Sequence, residues 1–109
     1  MDPPQIEVDQ LAALPEPTSV IDVREPDEYE AGHVPGAVLI PLAEIADRVG
    51  EVPGNEPVYV ICQSGGRSLR ATEFLAAEGL DVTNVAGGTK AWVESGREVV
   101  TGPRPGRED

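Results

Sequence analysis

Three features of this 109-residue chain predict an α/β fold, an open and mostly parallel sheet of about five strands with helices on both faces. Strand-like and helix-like segments alternate along its length. Val58-Tyr59-Val60-Ile61 is an uninterrupted apolar run, as expected of a parallel strand buried on both faces. The single cysteine, Cys62, follows that run directly and precedes Gly65-Gly66, so it falls at the carboxyl end of a strand, where open α/β sheets bind ligands.

The elements follow in order. After a Pro-rich, flexible start (residues 1–4), a short strand is expected over Gln5 to Val8, and the β-branched Ser19 to Val23 forms a second. Glu25 to Ala31 reads as a short helix, with Pro26 in its first turn, acids complementing the dipole and Gly32 closing it. Ala37 to Ile40 is a third strand. Leu42, Ile45, Ala46 and Val49 share one helical face, and Gly50 stands where a left-handed cap belongs. After the Val58 to Ile61 strand, Ser68 is expected to cap a helix from Leu69 to Glu78 that ends at Gly79. Val82 to Val85 is the last strand, and a short helix over Lys90 to Glu94 follows Gly87-Gly88. One domain over residues 5–101 accounts for these elements, and the apolar-free 102–109 reads as a disordered tail.

Composition narrows the function. A net charge of -12, with eight scattered basic residues, argues against a nucleic-acid surface. The acidity fits solubility better than a docking surface for a basic partner. One cysteine excludes an internal disulfide framework and fits a reducing compartment. The first residues do not read as a signal peptide and no apolar run approaches the ~20 residues of a membrane helix, so a soluble, cytoplasmic protein without membrane partners is expected.

The cysteine loop carries the chemistry. A free thiol of pKa about 8.5 is mostly protonated at neutral pH. Backbone N–H groups from Gln63 to Ser68, the positive end of the following helix and Arg67 can all favour an anionic sulfur there. Gly65 and Gly66 permit the positive φ values that such a nest requires. The same donors suit a thiolate and the outer sulfur of a persulfide. Against an inert core thiol stand the Gly-Gly pair and the Arg that follows it. Arg67 can anchor an anionic sulfur donor or tie the loop, and the planar guanidinium favours the anchor. Gln63 and Ser64 act mainly through their backbones.

Cys62-Gln63-Ser64-Gly65-Gly66-Arg67-Ser68 resembles the active-site loop of the rhodanese (thiosulfate sulfurtransferase) family. Ile21-Asp22-Val23-Arg24-Glu25 with Glu28-Tyr29, then Gly32-His33-Val34-Pro35-Gly36-Ala37-Val38-Leu39-Ile40-Pro41, then Ala86-Gly87-Gly88-Thr89-Lys90-Ala91-Trp92 resemble its other signatures, in its order. The likeness runs from about Ile6 to about Val99. It implies a rhodanese-like fold with Cys62 as the catalytic nucleophile, a structural His33, and Asp22 and Arg24 as hydrogen-bonded supports. Phosphatases and arsenate reductases of related architecture hold five residues between Cys and Arg, whereas four separate Cys62 from Arg67. The shorter loop resembles the sulfurtransferase version and makes phosphatase chemistry a poor alternative.

Other candidates carry less. No His and Cys cluster supports a metal site, and Gly87-Gly88 lacks the Lys and Thr spacing of a phosphate loop. Trp92 reads as core or pocket wall. The expected activity is transfer of a sulfane sulfur from a small donor such as thiosulfate to cyanide or a thiol, through a Cys62 persulfide and without a cofactor. A persulfide relay or sensor that serves an acceptor protein is the alternative, and a pure interaction domain a third.

Overall fold

The computed structural model describes residues 3–106. Five strands, β1 (Gln5–Glu7), β2 (Ser19–Asp22), β3 (Val38–Leu39), β4 (Val58–Ile61) and β5 (Val82–Ala86), form one sheet in the order β1-β5-β4-β2-β3. Every pairing is parallel, and β4 lies at the centre between β5 and β2. Four α-helices accompany them: α1 (Val8–Ala12), α2 (Pro26–Ala31), α3 (Gly66–Ala77) and α4 (Gly88–Glu94).

Strand alternation sorts the core into two layers. Ile21, Val23, Val58 and Val60 pack with Ala71 and Leu75 of α3, while Val20, Ile61 and Val85 pack with Leu11, Tyr29 and Trp92 on the opposite face. Val58, Val60 and Ile61 of β4 are therefore buried and Tyr59 half-buried, close to what its unbroken apolar run requires. Cys62 continues the two-residue period from Val58 and Val60 and so belongs to the α3 layer.

Several elements differ from expectation. Helix α1 was not anticipated: Val8 ends no strand, because Glu7 and Gln10 exchange capping hydrogen bonds and start a helix there. The predicted amphipathic helix after Pro41 is two 3₁₀ turns, Leu42–Glu44 and Val49–Glu51. Ile45 is still buried, but Ala46 is exposed and Gly50 lies inside the second turn rather than capping. Arg48 reaches Glu51 at i+3 through two hydrogen bonds of 2.8 and 2.9 Å, a spacing that suits the tighter winding. Helix α2 follows expectation, with Pro26 in its first turn and reciprocal capping by Glu25 and Glu28.

His33 is fully buried and stacks on Tyr29 with ring centroids 3.7 Å apart. Its ring nitrogens face the carbonyls of Tyr29 and Arg104, each at 2.8 Å. The segment 102–106 was expected to be disordered from its composition. It forms no helix or strand, yet Gly102 N–H donates to the Glu30 carbonyl at 2.8 Å and the Pro105 carbonyl accepts from Gly36 N–H at 2.9 Å. Residues 1–2 and 107–109 of the two expected flexible ends lie outside the described residues. No helix among the described residues is long and apolar enough to cross a membrane.

Candidate active site

Strand β4 delivers Cys62 to the carboxyl edge of the sheet, and the chain then turns through Gln63-Ser64-Gly65 into α3. The turn depends on Gly65, which sits at φ +110 as the N-cap of α3. A Cβ there would also lie 3.4 Å from the Gly87 backbone nitrogen. Gly66 is different. It is the first helical residue, has no positive φ, and its Cβ direction faces open space. Of the two glycines expected to serve the nest, only Gly65 is required by backbone conformation.

Because α3 begins at Gly66, Ser68 is not its N-cap, correcting the sequence reading. Ser68 lies in the first turn, fully buried, and its hydroxyl is 3.3 Å from Cys62 Sγ and 3.2 Å from the Gly65 carbonyl. The Gly65 N–H reaches Sγ at 3.1 Å. Cys62 itself is 1% exposed. Burial pushes its thiol up, but the Ser68 hydroxyl and the N–H groups of Ser68, Gly65 and Ser64 outweigh that, and the thiol lies below its ordinary range. The donors come from the loop and the first turn of α3 together.

Arg67 meets a carboxylate. Its two terminal nitrogens meet the two carboxylate oxygens of Glu28 at 2.7 and 2.8 Å, fork to fork. The guanidinium holds the Glu28 carboxyl at about 2, against an ordinary carboxylate value of 4.5. Glu28 also accepts the Glu25 N–H at the start of α2, so one side chain caps that helix and clamps the loop. Sequence reasoning assigned Glu28 no role at the site. Its signal was the acid three residues after Glu25, read only as dipole complement.

Asp22 and Arg24 form a buried ion pair at 2.9 Å beneath the loop. Arg24 also donates to Asp22 Oδ1 from its backbone and Nε, each at 3.0 Å, and to the Gly32 carbonyl at 2.9 Å. Its remaining arm reaches the Gln63 side chain at 3.3 Å. Gln63 and Ser64 are exposed at the tip of the loop. Beside Gln63 opens a cleft of about 740 Å³ whose lining includes Arg24, Glu28, Thr89, Lys90 and Val93. Among the described residues, no group of three His, Cys, Asp or Glu side chains could hold a metal ion.

An open parallel sheet whose central strand ends in a buried, acidified cysteine beside several hydrogen-bond donors is a site suited to an anionic sulfur. Comparison with known proteins gives the chain a family. The Rhodanese-like domain profile matches residues 7–95, and the chain belongs to that family. It is 35% identical over 92 residues to a sulfurtransferase of Allochromatium vinosum, covering 84% of this chain and 86% of that protein. A Bacillus subtilis protein whose provisional name is sulfur carrier protein YrkF is 42% identical over 78 residues, which are 71% of this chain and 42% of that protein. A crystal structure of a rhodanese-related protein from Thermoplasma volcanium superposes with a TM-score of 0.85 at 34% identity, covering 89% of this chain and 97% of that one. The chain thus spans about half the length of the Bacillus subtilis relatives it matches, 59% of one and 42% of the other.

Proposed function

We propose that this protein is a sulfurtransferase that carries a sulfane sulfur as a Cys62 persulfide between a small donor and a thiophilic acceptor. The observation that carries this reading is the cluster of Gly65 N–H, Ser68 hydroxyl and neighbouring amides on Cys62 Sγ. With thiosulfate as donor, the Cys62 thiolate attacks the outer sulfur, an S–S bond forms to Cys62, and sulfite departs with the electron pair of the broken bond. Cyanide or an acceptor thiolate then attacks the outer persulfide sulfur. Cys62 leaves as thiolate, so the cycle closes without a net redox partner.

The amide donors act in both states, because the charge passes to the outer sulfur while remaining within the same loop. Glu28, Arg67, Asp22 and Arg24 hold the loop rigid from outside. The cleft beside Gln63 offers an acceptor a route to the loop. A second reading, a relay that hands its sulfur to a partner protein, is favoured by the sulfur carrier relative. A single cysteine suits a reducing compartment for either reading.

Mass spectrometry after thiosulfate treatment tests the proposal. One added sulfur is expected on the wild type and none on Cys62→Ser. An equal adduct on both proteins would overturn the assignment. Thiosulfate:cyanide turnover measured beside a pull-down then distinguishes enzyme from relay.

A further inference from the structure

Across a trans peptide bond the carbonyl and the following N–H point in opposite directions. The outward carbonyls of the Cys62 loop therefore govern where its amides aim. The Cys62 carbonyl accepts from the Thr89 N–H at 2.8 Å and from the Thr89 hydroxyl at 3.1 Å, and the Gln63 carbonyl accepts from the Lys90 N–H at 3.0 Å. Turning the Gln63 carbonyl toward α4 turns the Ser64 N–H the other way, and that N–H is among the donors acting on Cys62.

Contact this close needs Gly88. It stands at φ +60, and a Cβ there would lie 2.5 Å from the Cys62 oxygen and 2.6 Å from the Gln63 oxygen, both backbone atoms that cannot swing aside. Thr89 is 3% exposed and its hydroxyl points at the same Cys62 carbonyl. These residues belong to the Ala86-to-Trp92 signature, for which the chemistry at Cys62 has so far supplied no reason.

We propose that Gly88 and Thr89 are positioning residues of the sulfur site, holding the two carbonyls that flank Gln63 against α4 so that the loop amides face Cys62. The consequence for sulfur transfer rests on the function proposed above, but the positioning itself is read on the thiol. The experiment is a pH titration of the Cys62 thiolate by its ultraviolet absorbance in wild type, Thr89→Val, Thr89→Ser and Gly88→Ala, beside thermal melts of each. Thr89→Val, nearly isosteric, is expected to move the titration midpoint upward and leave roughly three- to tenfold less thiolate at pH values below both midpoints, the range of one hydrogen bond. Thr89→Ser should restore the wild-type curve, and Gly88→Ala should shift the midpoint at least as far as Thr89→Val.

An unmoved midpoint in folded Thr89→Val would overturn the proposal, as would a Thr89→Ser curve that matches Thr89→Val. A lowered melting temperature without a shifted midpoint would reduce Thr89 to a packing role and also overturn it. If Gly88→Ala does not fold, the Thr89 pair decides. Sulfur uptake by the wild type is scored separately by mass, so failure of the transfer reading remains distinguishable from failure of the positioning.

Discussion

Arg67 and Glu28, 39 residues apart, close a two-pronged ion pair between the first turn of α3 and the first turn of α2. Arg67 is 35% and Glu28 32% exposed, so water screens the pair and its worth lies within the ~0.2–1 kcal/mol of surface bridges. It restrains the loop more than it stabilises the fold.

With both terminal nitrogens on Glu28, Arg67 is expected to act as a tie across the loop more than as a hook for an anionic donor. Arg67→Ala and Glu28→Ala are therefore expected to slow persulfide formation and discharge by similar factors, up to about fivefold, the kinetic equivalent of ~1 kcal/mol. The double variant should be no slower than either single one. Single-turnover kinetics of each half-reaction checks this. A loss confined to uptake from thiosulfate in Arg67→Ala would restore the donor-anchor role.

The acidified thiol has a signature in stability. A cysteine whose folded pKa is lowered contributes most above its unfolded value of about 8.5, and that contribution fades as pH falls through the folded pKa. The stability difference between wild type and Cys62→Ser should therefore change in favour of the wild type as pH rises through that window, then level off. For Glu28 the same sign holds lower down: its contribution is intact above about 4.3 and is lost as pH falls toward about 2. Urea melts across pH measure both, and a flat Cys62 difference would contradict the first.

The two loop glycines should part company. Gly65→Ala must adopt φ +110 and is expected to cost about 1–2 kcal/mol and slow persulfide formation. Gly66→Ala enters the first turn of a helix facing open space and should be neutral or stabilising by up to about 1 kcal/mol. Denaturant unfolding of the two variants, with sulfur uptake scored alongside, distinguishes them. Equal destabilisation would contradict the assignment of the nest to Gly65.

A chain with one cysteine has no second thiol to resolve a persulfide internally. After desalting away thiosulfate, the loaded protein should persist in anaerobic, acceptor-free buffer and discharge stoichiometrically on adding cyanide. Intact mass followed over time reads the added sulfur directly. Rapid spontaneous loss would sink the claim that the loop stabilises the outer sulfur.

What the sequence disclosed depended on separation along the chain. Cys62, its glycine turn and the buried strand before it are contiguous, so their chemistry was legible in a few residues. Parallel alternation was legible too, because strands such as Val58–Ile61 state their burial in their composition. The clamps were not. Glu28 meets Arg67 across 39 residues and Thr89 meets the Cys62 carbonyl across 27, and no local pattern encodes either meeting. Helix α1, at five residues, is too short to display a period, and the segment after Pro41 carried an apolar face that two 3₁₀ turns bury only in part. Ser68 was legible as a polar residue at a helix start, but its hydroxyl meets the sulfur and the Gly65 carbonyl instead of capping the free N–H groups of α3.

If Cys62 carries sulfur as proposed, its near-complete burial would give the empty and the loaded protein different faces. A bare thiol recessed under its loop offers another copy of the chain almost no sulfur surface, which discourages disulfide-linked pairs and indiscriminate oxidation. On the function proposed above, adding one sulfur would extend the side chain by an S–S bond of about 2.05 Å. Loading would then replace a concealed atom with one that an acceptor can reach. A partner that surveys this surface by touch could tell a charged carrier from a spent one, and the protein would advertise its cargo without changing its fold.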